Sequence, residues 1–408
     1  MTTPPISMDR KLILVIVGLL LAAAWPVAFA QSQDPLTLIA AYSLQTDSNI
    51  YRLPASANTQ ALLGRADASE QTGVCTLGLT FKTRQSLQQF EISATAIDYQ
   101  YQNFNYLSFT AANLDAAWRW SFTPRWHGSL TATRKESLNN FADAPGSFQR
   151  NVRLDTGSAL EMEYEIDGPW RLVGGLSSAR QSNQATQVAG SDYSNTSANV
   201  GVRYAYASGS SIAFRSRSYQ GSYLNVIIPS AGQLDNAYSQ QDQDLRLHWE
   251  LGGGSAADAN LTYTARTHPN YGVRDWDGFN TGLNLNWAVT GKSSLVTGYQ
   301  HQLGDYATAN SNYAQTDTLT LSPVWQFRPK ASLQLQGSYA QVQYLGSPSA
   351  MPTTARRDIN RSLNLSLNWQ PYDKLSLATS VGTLSRGSSQ AGLDFDASQL
   401  SFSAQLFY

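Results

Sequence analysis

Along most of this chain apolar and polar side chains alternate one for one, in segments that reverse at tight turns about 40 residues apart. The turns centre near Arg84, Thr123, Gly168, Ser208, Gly252, Gly291, Pro329 and Pro371. In a strand, residues i and i+2 share a face, so each segment carries one apolar stripe and one polar stripe. A helix would scatter both around its circumference. Repeated hairpins of this kind predict an all-β chain, a transmembrane antiparallel up-and-down β-barrel.

The segment Val152 to Ile166 shows the pattern most clearly. Val152, Leu154, Thr156, Leu160, Met162, Tyr164 and Ile166 share one face, while Arg153, Asp155, Glu161, Glu163 and Glu165 share the other. Leu245, Leu247, Trp249 and Leu251 likewise oppose Asp244, Arg246, His248 and Glu250. Leu363, Leu365, Leu367 and Trp369 oppose Ser362, Asn364, Ser366 and Asn368. A tilted strand crosses the hydrocarbon layer in about 9–11 residues, a length these stripes meet. Trp120, Trp126, Trp170, Tyr206, Trp249, Trp287, Trp325 and Trp369 all lie beside short turns, where amphipathic rings would form a headgroup-level girdle. Short turns belong to the periplasmic side of such barrels and long loops to the outside. The longer connections 135–151, 180–195, 220–241 and 345–357 are therefore read as exterior.

Eight short turns join sixteen strands, and Gln399 to Tyr408 adds another. An N-terminal strand around Leu36 to Ser43 makes eighteen, an even number with both ends periplasmic; sixteen is the alternative if the N-terminus forms a plug. Residues 44–72 are then a first outer loop, or part of them folds inside. Either count leaves a water-filled lumen. In the last strand Leu400, Phe402, Ala404, Leu406 and Tyr408 alternate to the final carboxylate. That ending resembles the C-terminal insertion signal of bacterial outer-membrane proteins, with Tyr in place of the commoner Phe.

The ends and the composition agree. Residues 1–30 read as a secretory signal and 31–408 as the barrel: Arg10 and Lys11 precede the apolar run Leu12 to Ala24, and Ala28-Phe29-Ala30 fits cleavage after Ala30. Met8 is an equally good start for that signal. The expected location is the bacterial outer membrane. Charged residues make up 14% of the chain, against roughly 25% in ordinary soluble domains. Net charge is −1, which leaves no nucleic-acid footprint. Cys75 is the single cysteine, so no intramolecular disulfide forms, and its apolar neighbours place it facing lipid.

Enzymatic chemistry finds little support. His127, His248, His268 and His301 have no metal-ligand spacing, and no nucleophile elbow or phosphate-binding loop occurs. Gly252-Gly253-Gly254 precedes a strand, not a helix, and reads as a hairpin turn. No cofactor is implied. The candidate functional residues are instead pore-lining ones: Arg153, Asp155, Glu161, Glu163, Glu165, Arg203, Arg215, Arg217, Asp244, Arg246, His248 and Arg266. Glu161, Glu163 and Glu165 are either a solvated inner wall balanced by neighbouring arginines or one side of a constriction, with Arg203, Arg215 and Arg217 facing them across the water. The remaining inward positions are rich in Asn, Gln, Ser and Thr, and Phe104, Tyr106, Tyr193, Tyr223, Tyr271 and Trp276 are loop aromatics able to stack on sugars.

The stretch Tyr42-Ser43-Leu44-Gln45-Thr46-Asp47-Ser48-Asn49-Ile50-Tyr51-Arg52-Leu53-Pro54 resembles the N-terminal motif of EpsL-type β-barrel porins of exopolysaccharide biosynthesis operons. Ile50-Tyr51 stands where that family has Leu-Phe. The resemblance implies an outer-membrane channel for exopolysaccharide export, with polysaccharide and periplasmic export components as partners beside outer-membrane lipid and the barrel-insertion machinery. A general or solute-selective diffusion porin and a plugged structural barrel are the alternatives.

Overall fold

The computed structural model describes residues 35–143, 146–185, 191–225, 235–305, 311–346 and 355–408. The signal read at 1–30 lies outside them. Eighteen strands form one closed antiparallel sheet: β1 (Leu36–Asp47), β2 (Glu70–Gln85), β3 (Gln88–Tyr101), β4 (Phe109–Thr123), β5 (Trp126–Leu138), β6 (Val152–Asp167), β7 (Trp170–Asn183), β8 (Tyr193–Ala205), β9 (Ser211–Tyr223), β10 (Ala237–Gly252), β11 (Ser255–Thr267), β12 (Trp276–Thr290), β13 (Ser293–Asp305), β14 (Tyr313–Arg328), β15 (Ala331–Leu345), β16 (Arg357–Tyr372), β17 (Leu375–Ser388) and β18 (Phe395–Phe407). Each strand pairs with its neighbours in sequence, and β1 pairs with β18 to close the ring. Leu38 and Tyr408 exchange both backbone hydrogen bonds at that seam, 2.7 and 2.9 Å. Closure leaves no unpaired edge, which is what lets strands cross a bilayer.

Register turns the alternation of the sequence into two faces. Around the seam, Tyr42, Leu44 and Thr46 lie opposite Ala404, Phe402 and Leu400. On β6 and β7, Leu160 meets Leu176 and Tyr164 meets Leu172. These apolar rows lie exposed on the outside: Leu400 is 53% and Phe402 52% accessible. A band of exposed Leu, Val, Phe and Trp continued over so many strands far exceeds what water-soluble surfaces tolerate, and lipid is the solvent that covers it. Aromatic rings gather near the short turns. Phe90 stacks on Trp118 at 5.9 Å, Trp120 on Phe122 at 4.3 Å, and Trp170, Tyr204, Tyr206 and Trp249 form a chain of ring contacts.

Three expectations shift. Strands run 12 to 16 residues, longer than the hydrocarbon layer needs, because the ladder continues beyond the apolar band. β1 reaches Asp47 rather than Ser43, since Leu44 and Thr46 keep the outer alternation going. The first and last turns lie two residues on from Arg84 and Pro371: Ser86 takes a left-handed φ of 56°, and Pro371 sits inside a register shift between Trp369 and Tyr372. Proline has no N–H to give the ladder, so it marks a bulge instead of the turn itself.

Of residues 44–72, the ends belong to β1 and β2, and the rest is a loop with a short helix, Thr59–Leu63. Its Tyr51, together with Ala68, Phe104, Leu107 and Phe141, makes the buried apolar cluster of the long-loop end. The motif at 42–54 is absorbed by this construction. The Arg52 guanidinium grips Asp47 at 2.7 Å, the Asn49 side chain donates to Leu53 O and Asp396 O, and Arg52 lies over the Phe395 ring.

Candidate functional site: the inner wall

Polar residues left by the outward apolar rows fill the inner face. Three consecutive inward rows cross β6 to β10. Glu161 lies level with Gly175, Asn199, Arg217 and Asp242; Glu163 with Val173, Gly201, Arg215 and Asp244; Glu165 with Arg171, Arg203, Ala213 and Arg246. Side chains along this wall pair within a row or reach one row over. Arg203 Nη2 is 2.6 Å from Glu163 Oε1, Arg171 Nη2 is 2.8 Å from Glu165, and Arg215 Nη1 is 3.4 Å from Glu161, which also accepts from the Asn199 amide at 3.2 Å. Glycines make room for this. A Cβ on Gly175 would stand 2.7 Å from the Glu161 carboxyl carbon, and one on Gly201 would stand 2.7 Å from Arg215 Cγ.

Glu161, Glu163 and Glu165 therefore do not face Arg203 and Arg215 across the water. The arginines sit two and three strands along the same wall and pair with the carboxylates directly. Arg217 takes a third course, donating to Tyr219 OH at 2.9 Å and lying over that ring. Arg153 pairs with Asp155 at 2.9 Å nearer the loops. On β10, Arg246 Nε holds Asp244 at 2.5 Å, and Thr262 donates to the same carboxylate at 2.8 Å. His248 sits between Asp258 at 2.7 Å and Glu250 at 3.2 Å, near the short-turn end. Arg266, on β11, bonds Asp305 at 2.9 Å.

Several wall residues escaped sequence reasoning. Arg171 bridges Glu163 and Glu165, and alternation against Leu172 would have revealed its face. Lys82 and Arg119 flank Glu91 at 2.6 and 3.4 Å. At the loop end, inward Arg386 donates from Nη1 to Ala142 O at 2.9 Å, tying loop 139–151 across the mouth to β17. No local pattern could announce that contact, because its partners are far apart in sequence. The six aromatics read as loop rings divide. Phe104 is buried in the Tyr51 cluster with Tyr106 at its edge, while Tyr193, Tyr223 and Trp276 are strand-end residues of β8, β9 and β12. Among the described residues no group of three His, Cys, Asp or Glu is placed to hold a metal ion.

Beyond β11 the inner face changes character. β16 presents Asn360, Ser362, Asn364, Ser366 and Asn368, and β18 presents Gln399, Ser401, Ser403 and Gln405. Within the described inner faces of β14 to β18, Asp358 and Arg386 at the loop end are the charged groups.

No family model matches the sequence, and neither does a curated protein. Solved structures do. The chain is similar to the outer membrane protein OpdK of Pseudomonas aeruginosa, with a TM-score of 0.52 at 12% identity over 92% of this chain and all of that one. OccK3 (OpdO) of the same organism gives 0.51 at 14% identity, covering 91% of this chain and 96% of that chain. OccK2 (OpdF), solved in complex with glucuronate, gives 0.50 at 14%, covering 91% and 97%. At such identities the likeness is one of fold, the closed antiparallel β-barrel.

Proposed function

We propose that the protein is an outer-membrane channel for the passive diffusion of small polar solutes, and not an enzyme. The observation that carries this reading is a closed eighteen-strand barrel whose inner face is mostly polar. Barrels of 16–18 strands enclose an aqueous channel. The ion-paired wall of β6 to β10 supplies selectivity: its charges are fixed by neighbours, and Arg203 and Arg215 each keep an Nε–H without a partner among the described residues. A solute carrying acceptor oxygens can bond weakly to the exposed guanidinium ends of Arg203 and Arg246 and move on, as conduction requires.

Reconstitution into a planar bilayer tests it. Stepwise conductance in potassium chloride is expected; a bilayer that stays silent with folded protein inserted would overturn the channel.

A second reading, export of a secreted polysaccharide, is favoured by the resemblance at 42–54 and by the uncharged wall of β14 to β18. The first support is weaker than it looked, since Asp47, Asn49, Tyr51 and Arg52 are all engaged in fixing the first loop. Deleting the gene and measuring surface polysaccharide separates the two. Unchanged polymer leaves the diffusion channel.

A further inference from the structure

Between β10 and β13 the inner wall is hollowed into a recess of about 440 Å³, within the usual size of small-molecule sites, about 300–1,000 Å³. Asn260, Thr262, Thr264, Asn280 and Gln300 line it with amides and hydroxyls. Its charged groups are already matched. Arg266 gives Nη1 to Asp305 at 2.9 Å and both Nε and Nη2 to Gln240 Oε1 at 3.0 and 2.7 Å. The guanidinium plane is covered as well, 4.0 Å from the Tyr238 ring and 5.3 Å from Trp276. Asp242 accepts from Gln240 at 3.0 Å and stands opposite Arg217 on the next strand, and His301 turns to Asp317 at 2.7 Å.

One buried donor is left over. Trp276, 6% exposed, lines the recess, and its indole N–H has no partner among the described residues. A buried unpaired donor is costly, so a small turn of the ring that brings the N–H to the recess surface, where a visiting solute accepts from it, is favoured.

We infer that this recess is a docking step for uncharged, hydroxyl-rich solutes of monosaccharide size. Hydroxyls serve as both donors and acceptors, which suits a lining of amides and hydroxyls, and the indole offers its edge N–H to one of them. A carboxylate finds no unpaired cation, because the Arg266 charge is already met by Asp305 and its faces are covered by Tyr238 and Trp276. The inference rests on the diffusion-channel reading and names the solute class that the channel retards.

The test uses the full-length folded barrel and two probes, D-glucose and its carboxylate counterpart glucuronate. Empty-channel conductance in potassium chloride reads the channel by itself. Added glucose is expected to interrupt that current with a saturable dependence, while glucuronate at equal concentration does so more weakly. Trp276→Phe keeps the ring and removes the N–H, and should raise the half-saturating glucose concentration about fivefold, the effect of one ordinary hydrogen bond. Trp249→Phe, in the outer girdle, should leave it unchanged. Equilibrium dialysis of labelled glucose against the detergent-solubilised barrel gives the same comparison if the barrel does not conduct. A conducting channel on which glucuronate acts more strongly than glucose, or a Trp276→Phe barrel that binds glucose like the parent, overturns the recess and leaves the channel standing.

Discussion

Two sectors of the wall share one outer face and differ inside. Strands β6 to β10 carry Glu161, Glu163, Arg203, Arg215, Asp244 and Arg246 inward, whereas β14 to β18 carry Asn, Gln, Ser and Thr at the equivalent heights. Outward, Leu160 and Leu176 on the first sector do the same work as Leu365 and Val381 on the second. The difference teaches that folding and selectivity are written on separate faces. Lipid fixes one stripe of every strand and leaves the other free to specialise.

The largest test of that separation is an arginine on the lipid face of each sector. Leu160→Arg and Leu365→Arg lie at matching distances from their short turns, inside the apolar band. Each is expected to destabilise the barrel by about 2–4 kcal/mol, the cost of arginine near the bilayer midplane. Urea titration of folded protein in lipid vesicles reads the loss. If the two differed by most of that range, the charged interior would be contributing to the fold, and the faces would not be independent.

Charge reversal inside is the next largest effect. Arg203→Glu removes the partner of Glu163 and adds a carboxylate beside it, leaving Arg171 alone to balance the group. Cation over anion permeability should rise roughly two- to fivefold, as about 0.5–1 kcal/mol of electrostatic bias would produce at a partly exposed pair. Reversal potentials across a salt gradient measure it. On the neutral sector, Gln334→Glu, whose parent is inward and uncharged, should give a smaller shift, because no neighbouring charge is unbalanced. Equal shifts at both sites would deny the ion-paired wall any special part in selectivity.

Salt dependence sharpens the same contrast at smaller size. Raising potassium chloride from 0.1 M to 1 M shortens the screening length from about 10 Å to about 3 Å. Preference set by β6 to β10 should fade over that range. Glucose interruptions from the charge-matched recess should persist, and their disappearance with salt would mean that charge holds the solute there.

How much of this the sequence could tell follows from what alternation encodes. Period two assigns a face, so β6, β10 and β16 were legible, and the count of eighteen followed from the eight turns, the C-terminal strand and an N-terminal strand around Leu36 to Ser43. Height along the barrel axis is a property of register, which alternation alone does not give. Whether Glu163 and Arg203 share a wall or oppose each other across water was therefore left open, and two strands of register set them side by side. The recess was hidden for a further reason. Trp276, Asp305 and Gln240 come from three strands, and Trp276 follows a loop so closely that it reads as part of it. The resemblance at 42–54 works differently: residues 47–52 suggest a function by their pattern, while their bonds also hold a loop.

The smallest effect lies at the loop end above the charged sector. Asp235 accepts from the backbone N–H of Asn270 at 2.7 Å, of Asn236 at 2.8 Å and of Tyr271 at 3.1 Å, and from the Asn270 amide at 2.9 Å. Burial pushes its carboxyl up, but these bonds outweigh burial and hold it below the ordinary aspartate value of 3.8. A lowered folded value means that the anchoring is complete above the unfolded value and is lost as pH falls through the folded one. Loop 268–275 should accordingly stay docked at pH 5 and above and loosen only below about pH 3.8, where aspartate in the unfolded chain titrates. Hydrogen exchange at the Asn270 and Tyr271 amides, corrected for intrinsic rate, reads the opening. Asp235→Asn should exchange faster at neutral pH and show no acid step. A step that persisted in that variant would place the titrating group elsewhere, and exchange unchanged at neutral pH would mean that the three bonds from Asn270 and Tyr271 to Asp235 are not what holds the loop.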